Sequence, residues 1–252
     1  MKPISITPMM RRVGAVALLL FLCTSAFAFK DGSYTFSVNS DGESVTITSH
    51  DDKTATSIWI PSTAYDADKE KSYDVTAIGS NVFRNYLDLT SITFLASIEY
   101  IGQNAFSGCL QLEEFYVPSS VKTLATGVFQ GCRSLHSVTL NAGLINLGEI
   151  SYPYTGVFED CSSLKEVKLP GTVKTVGNNT FSNCVALESV YLNYGLLTIG
   201  SNAFNNCSSL TKIVIPNTVQ EIGNALFQGC NILEDATIGS KVQSMGSGIF
   251  SN

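Results

Sequence analysis

The chain has 252 residues, 44% of them hydrophobic and 14% charged, with a formal net charge of −6. That balance excludes an intrinsically disordered chain, which combines low hydrophobicity with high charge. An acidic chain without a basic cluster also makes a poor partner for nucleic acid or anionic lipid.

The amino terminus reads as a secretory signal over residues 1–28. Lys2, Arg11 and Arg12 give a basic start, an apolar run covers 13–22, and Ala26-Phe27-Ala28 matches a small-x-small cleavage site. The run is too short for a membrane span. Cys23 raises the alternative of a lipoprotein anchor, but Leu22 is large where that signal needs a small residue, so cleavage after Ala28 is expected. Losing three positive charges takes the net charge from −6 to −9. No second apolar stretch reaches membrane length, so no membrane insertion of the mature chain is expected.

Residues 29–72 read as a β-rich N-terminal cap. Residues 34–38, 44–49 and 56–60 alternate apolar and polar, and Asp41-Gly42 is a turn signal. Trp59 is expected to pack within this cap, the usual fate of a lone aromatic.

From residue 73 to 252 the chain is periodic. Phe83, Phe106, Phe129, Phe158, Phe181, Phe204, Phe227 and Phe250 recur at intervals of 23, with one interval of 29. A period in this range marks one supersecondary unit stacked on copies of itself. Cys109, Cys132, Cys161, Cys184, Cys207 and Cys230 each follow their phenylalanine by three residues, and Tyr86 takes that place in the first coil. Leucine follows by six without substitution, from Leu89 to Leu233. The pattern Leu-x-x-Val-x-Leu predicts a short strand with one buried side. Pro118, Pro170 and Pro216, or Asn141, Asn193 and Gly239, mark its end. A second extended piece, Val-x-x-Ile-Gly, follows. Its glycine is expected to take a positive φ or to admit a close backbone. Asn81, Asn104, Asn179 and Asn202 are expected to cap a short helical turn carrying the phenylalanine inward.

Units such as 121–140 and 196–216, the latter LLTIGSNAFNNCSSLTKIVIP, resemble the BspA-like leucine-rich repeat family of secreted and surface proteins. The resemblance covers about residues 75–250. It implies an α/β-type repeat solenoid, mainly β, curving as a right-handed leucine-rich repeat arc of 23-residue coils. In it the Leu-x-x-Val-x-Leu strands would form a parallel sheet along one face. It also implies adhesion to host or microbial proteins.

Little in the chain points to catalysis. Metal sites need ligands converging on one point, and no two repeat cysteines are closer than 23 residues. Disulfides between adjacent coils are the alternative for a secreted chain. Laddered side chains point the same way, however, so buried free thiols acting as small hydrophobes are expected. His50 and His136 are the two histidines, and no nucleophile–base set forms around them. No cofactor, metal or nucleotide motif appears, and an enzyme is not expected. Asn178-Asn179-Thr180 matches a glycosylation acceptor.

The candidate partner-binding residues are Tyr116, His136, Lys168, Tyr191 and Lys212 on outward strand positions, and Tyr152, Pro153 and Tyr154 in a six-residue insertion within residues 149–155. A solvated sheet face and a neutral loop insertion are the plainer readings of the same residues. The chain stops just past Phe250. Either a half coil closes the solenoid, or this end meets another molecule by self-association, or the sequence is truncated. The expectation is a secreted or cell-surface, non-catalytic protein-binding module exported by a bacterium, its partner an extracellular protein. A glycan-binding component for nutrient capture and a structural or assembly subunit are the alternatives.

Overall fold

The computed structural model describes residues 28–151 and 155–251. Residues 1–27, which hold nearly all of the expected secretory signal, and Tyr152, Pro153 and Tyr154 lie outside them.

Six strands make the amino-terminal part: β1 (Ala28–Asp31), β2 (Tyr34–Val38), β3 (Ser44–His50), β4 (Ser57–Ile60), β5 (Thr63–Asp66) and β6 (Lys71–Ile78). Thereafter two strands alternate in each coil. The Leu-x-x-Val-x-Leu strands are β7 (Ser91–Phe94), β9 (Glu114–Val117), β11 (Ser137–Leu140), β13 (Glu166–Lys168), β15 (Ser189–Tyr191), β17 (Lys212–Val214) and β19 (Asp235–Thr237). The Ile-Gly strands are β8 (Tyr100–Ile101), β10 (Thr123–Leu124), β12 (Asn146–Leu147), β14 (Thr175–Val176), β16 (Thr198–Ile199), β18 (Glu221–Ile222) and β20 (Ser244–Met245).

The long sheet runs through the second set, not the first. Its order is β1-β2-β3-β6-β8-β10-β12-β14-β16-β18-β20, with β5 paired to β6. From β3 onward this path is parallel, and every coil keeps the same register, as in Leu124↔Leu147 and Ile199↔Ile222. The glycine after every one of these strands but β10, where buried Ala125 stands, permits the stacking. A Cβ on Gly102 would sit 2.7 Å from the Gly79 carbonyl carbon, and one on Gly200 would sit 2.5 Å from the Asn178 nitrogen. Close approach is therefore the glycine's role. Gly148, next to the insertion, is the one of this set with positive φ, at +77°.

The Leu-x-x-Val-x-Leu face differs from the single sheet the resemblance implied. Its strands form four separate parallel ladders, β4-β7, β9-β11, β13-β15 and β17-β19. Proline explains the breaks. Past β7, Leu95 donates its N–H to the Ile60 carbonyl of the preceding coil at 3.0 Å. Pro118, Pro170 and Pro216 are the repeat equivalents of Leu95 in the coils of β9, β13 and β17 and have no N–H to give. The ladder is interrupted before each of them.

No α-helix occurs among the described residues, which corrects the expected helical turn. Asn81, Asn104, Asn179 and Asn202 therefore have no helix to cap. They take left-handed φ values of 52–62°, a region that asparagine tolerates better than most residues. A second left-handed position falls two residues after the phenylalanine, at Asn85, Gly108, Gly131, Asp160, Asn183, Asn206 and Gly229. Between them the backbone bonds to the next coil: Phe83 N–H donates to Ala105, Phe181 to Ala203 and Phe204 to Leu226, at 2.8–3.1 Å. Donors spent between coils cannot also build a helix.

The interior is one continuous cluster. The eight phenylalanine rings stack in a column at 5.2–5.8 Å, with interplanar angles of 5–23°. Seven of them are fully buried, each worth roughly 1.5–3 kcal/mol against exposure. Phe250 covers Phe227 and is itself 54% exposed. Beside the column the six cysteines are buried and free. Each thiol donates to the carbonyl of the preceding coil's phenylalanine at 3.0–3.2 Å. Burial pushes the Cys184 thiol well up from its ordinary value. Tyr86 fills the same slot in the first coil, and its hydroxyl donates to the His50 carbonyl at 2.9 Å.

Asn178 is no exposed glycan acceptor. It is buried, its Oδ1 accepts from Ser201 N–H at 2.7 Å, and its Nδ2 donates to Ile150 carbonyl at 2.8 Å.

Candidate protein-binding face

Alternation along each Leu-x-x-Val-x-Leu strand buries one set of side chains and turns the other outward. In β9 Phe115 and Val117 are buried, whereas Glu114 and Tyr116 are exposed. Strand register then aligns the outward residues from coil to coil. Tyr116 stands opposite Thr139, Lys168 opposite Tyr191, and Val214 opposite Thr237.

The row begins earlier than the sequence suggested. β4 pairs in parallel with β7, and Trp59 stands opposite Thr93. Trp59 is 61% exposed, so the expectation that it packs inside the cap is wrong. Its neighbours Ile58 and Ile60 take the buried positions, and alternation leaves the indole outside. The full outward row is Trp59, Thr93, Tyr116, Thr139, Lys168, Tyr191, Val214 and Thr237. The Ile60-Pro61 ending, which repeats Val117-Pro118, carried this assignment in the sequence: Trp59 and Tyr116 precede their prolines by the same two residues.

Charges on the face are largely paired. Lys168 Nζ lies 2.7 Å from Glu166 and 5.3 Å from the centroid of the Tyr191 ring. Hydrogen bonding to Glu166 holds the Lys168 ammonium above its ordinary pKa. Lys212 Nζ lies 2.6 Å from Asp235, and that bond lowers the carboxyl's pKa. His136 Nε2 is 3.7 Å from Glu114.

Two shallow depressions mark the face. One, of about 370 Å³, is lined by Glu188, Tyr191, Tyr194, Lys212, Val214 and Pro216 among others. Tyr194, 81% exposed, is a feature the sequence reading passed over, because it falls just beyond the strand. The other is lined by Glu113, His136 and Lys165 with several serines. The structure thus brings Tyr191 and Lys212 into one depression with Lys168 over the Tyr191 ring, and sets Tyr116 three coils away. Tyr152, Pro153 and Tyr154 lie outside the described residues. Among the described residues no group of three or more His, Cys, Asp or Glu is placed to hold a metal ion. Among the described residues there is no helix long and apolar enough to cross a membrane.

Comparison with known proteins matches this architecture. A family model described as a BspA type leucine rich repeat region, in six copies, matches residues 70–156 and 152–252. The crystal structure of a leucine rich cell surface protein from Faecalibacterium prausnitzii is similar at 31% identity with a TM-score of 0.73. That match covers 84% of this chain and 54% of the other, so the chain spans about half the length of that protein. A leucine rich repeat protein of T. pallidum is similar at 25% identity and TM-score 0.68, over 81% of this chain and 90% of that one. A leucine-rich repeat protein from Bacteroides ovatus, at 23% identity and TM-score 0.57 over 88% and 68%, shares the fold. No curated protein matches the chain. With the family model spanning nearly all of the coils, the chain belongs to the BspA-type leucine-rich repeat family.

Proposed function

We propose that the chain is a non-catalytic protein-binding module that works outside the cell or at its surface. The observation that carries this reading is the outward row in which Trp59, Tyr116 and Tyr191 are all more than half exposed on a rigid, in-register face. Exposed aromatics on a pre-ordered surface are the side chains that most often anchor protein interfaces. They lose little conformational freedom on binding. A stack of coils presents such a surface as one long face without closing a pocket. The similarity to a protein described as a cell surface protein and the amino-terminal signal pattern support an extracellular setting.

The test is a screen of the mature protein against immobilised extracellular proteins and glycans, beside a W59A/Y116A/Y191A variant. Saturable capture by a protein that the triple variant loses at least tenfold supports the reading. Capture by glycans alone, lost in the same variant, would assign the face to carbohydrate instead.

A further inference from the structure

Alternate coils of the outward face differ. Pro61, Pro118, Pro170 and Pro216 follow the strand in every second coil, with Leu95, Asn141, Asn193 and Gly239 between them. The repeating unit of this face is therefore a two-strand ladder, β4-β7, β9-β11, β13-β15 or β17-β19. Outward residues follow the same alternation. The first strand of each ladder carries Trp59, Tyr116, Lys168 or Val214, and the second carries Thr93, Thr139, Tyr191 or Thr237 in register with it. Two positions earlier, the second strands of the first two ladders carry Ser91 and Ser137. The face is thus corrugated, with a ridge at every second coil and a gap floored by serine and threonine between ridges. Tyr191 fills the third gap, and Lys168 Nζ leans over its ring, 5.3 Å from the centroid. The open track runs from Trp59 to Lys168 and holds two gaps, over Thr93 and over Thr139.

Resting on the protein-binding reading above, we propose that the partner lays an uncharged, proline-rich segment in polyproline II conformation along the solenoid axis, with prolines three residues apart seated in these two gaps. The spacing selects this conformation. Coils stack at about 4.8 Å, so the ridges recur about every 10 Å along the axis. A polyproline II helix has three residues per turn, and one of its faces repeats about every 9.3 Å. An extended strand repeats its face about every 6.7 Å and drifts onto a ridge. An α-helix presents a side chain about every 5.4 Å, so every second one would stand on a ridge. The chemistry agrees with the spacing. Trp59 and Tyr116, both more than half exposed, wall the first gap with aromatic faces of the kind that dock proline-rich segments. Their indole N–H and phenol O–H are donors, and polyproline II leaves its carbonyls without internal partners. Charge favours an uncharged occupant. Glu114 lies beside His136, Glu166 pairs with Lys168, and Lys212 pairs with Asp235. The adjoining row mixes both signs, from Glu113 through His136 and Lys165 to Glu188.

The probes are two twelve-residue peptides of identical Ala, Ser and Pro composition, titrated onto the mature protein. One has proline at positions 2, 5, 8 and 11. The other has it at positions 2, 4, 6 and 8, so that no two prolines are three apart. A T93Y/T139Y variant fills both gaps while adding aromatic surface, at exposed strand positions where tyrosine is well tolerated. The expected result is saturable binding of the first peptide, at least tenfold weaker for the second peptide and for the variant, and insensitive to salt. Equal binding of the two peptides, no binding of the first, or undiminished binding by T93Y/T139Y would overturn the proposal. A protein whose capture is lost in W59A/Y116A/Y191A but kept in T93Y/T139Y would overturn the polyproline inference alone, leaving the face a protein-binding surface. Capture kept by both variants would overturn the two together.

Discussion

The thiol of Cys184 donates to the carbonyl oxygen of Phe158, one coil earlier, at 3.1 Å. The same carbonyl accepts the Cys161 N–H of its own coil at 3.1 Å. A single oxygen thus closes a turn and ties that turn to the next coil. The contact recurs at all six repeat cysteines, and it gives the position a chemical reason beyond small apolar volume. A disulfide would consume the hydrogen that makes this bond.

Cys184→Ala should therefore cost about 1–2 kcal/mol, combining a lost hydrogen bond with a small void. Denaturant unfolding at neutral pH measures it. Burial that raises the thiol pKa also predicts inertness. A thiol reagent at pH 8 should leave Cys184, fully buried, unmodified in the native protein and label it after unfolding.

Ala225 has φ of 51°, at the position where other coils place asparagine or glycine. A Cβ in the left-handed region costs roughly 1–2 kcal/mol per residue. Ala225→Gly should raise unfolding free energy by up to about 1 kcal/mol, because glycine's extra chain entropy offsets part of the gain. Ala225→Asn should move in the same direction. A decrease for both would show that this coil relaxes differently.

Gly200 offers the opposite case. A Cβ there would lie 2.5 Å from the Asn178 backbone nitrogen and 2.6 Å from its Oδ1. Gly200→Ala should lower unfolding free energy by about 2–3 kcal/mol. Gly171, where nothing lies within 4 Å of an added Cβ, is the matched control, and its alanine variant should change stability little.

His50 carries the pH dependence. Its Nδ1 is 3.3 Å from the Tyr86 hydroxyl, and its ring packs against Tyr34 and Phe83. Burial holds its pKa below the ordinary 6.5, against the opposing pull of Asp52 and Asp51. The unfolded chain then binds the proton more readily than the folded one. Stability contributed by this group is complete above pH 6.5 and is lost as pH falls below that value towards the folded pKa. His50→Gln should flatten the decline in unfolding free energy between pH 7 and pH 5.

The periodic part of the chain was legible because each stacked position tolerates few residue types. Phe181, Cys184 and Leu187 are all fully buried, and only a repeat that places them in phase can stack. The asparagines misled because Asn serves both as a helix cap and as a left-handed residue. Backbone pairing between coils, invisible in any single repeat, decided for the latter. Proline misled in a related way. Pro170 does mark the end of a strand, but its larger effect is on the preceding coil, whose Leu140 carbonyl loses a ladder donor. Trp59 was missed because tryptophan reads as core by composition. Alternation with Ile58 and Ile60 outweighs that habit.

The most direct test of the binding face is hydroxyl-radical footprinting of the mature protein with and without a captured protein partner. Trp59, Tyr116, Tyr191 and Tyr194 report on the face, while Tyr65 and Tyr100 are exposed elsewhere on the molecule. Protection of the first group, with Tyr65 and Tyr100 still oxidised, is the predicted result. Protection confined to Tyr65 or Tyr100 would place the partner on another surface and contradict the account.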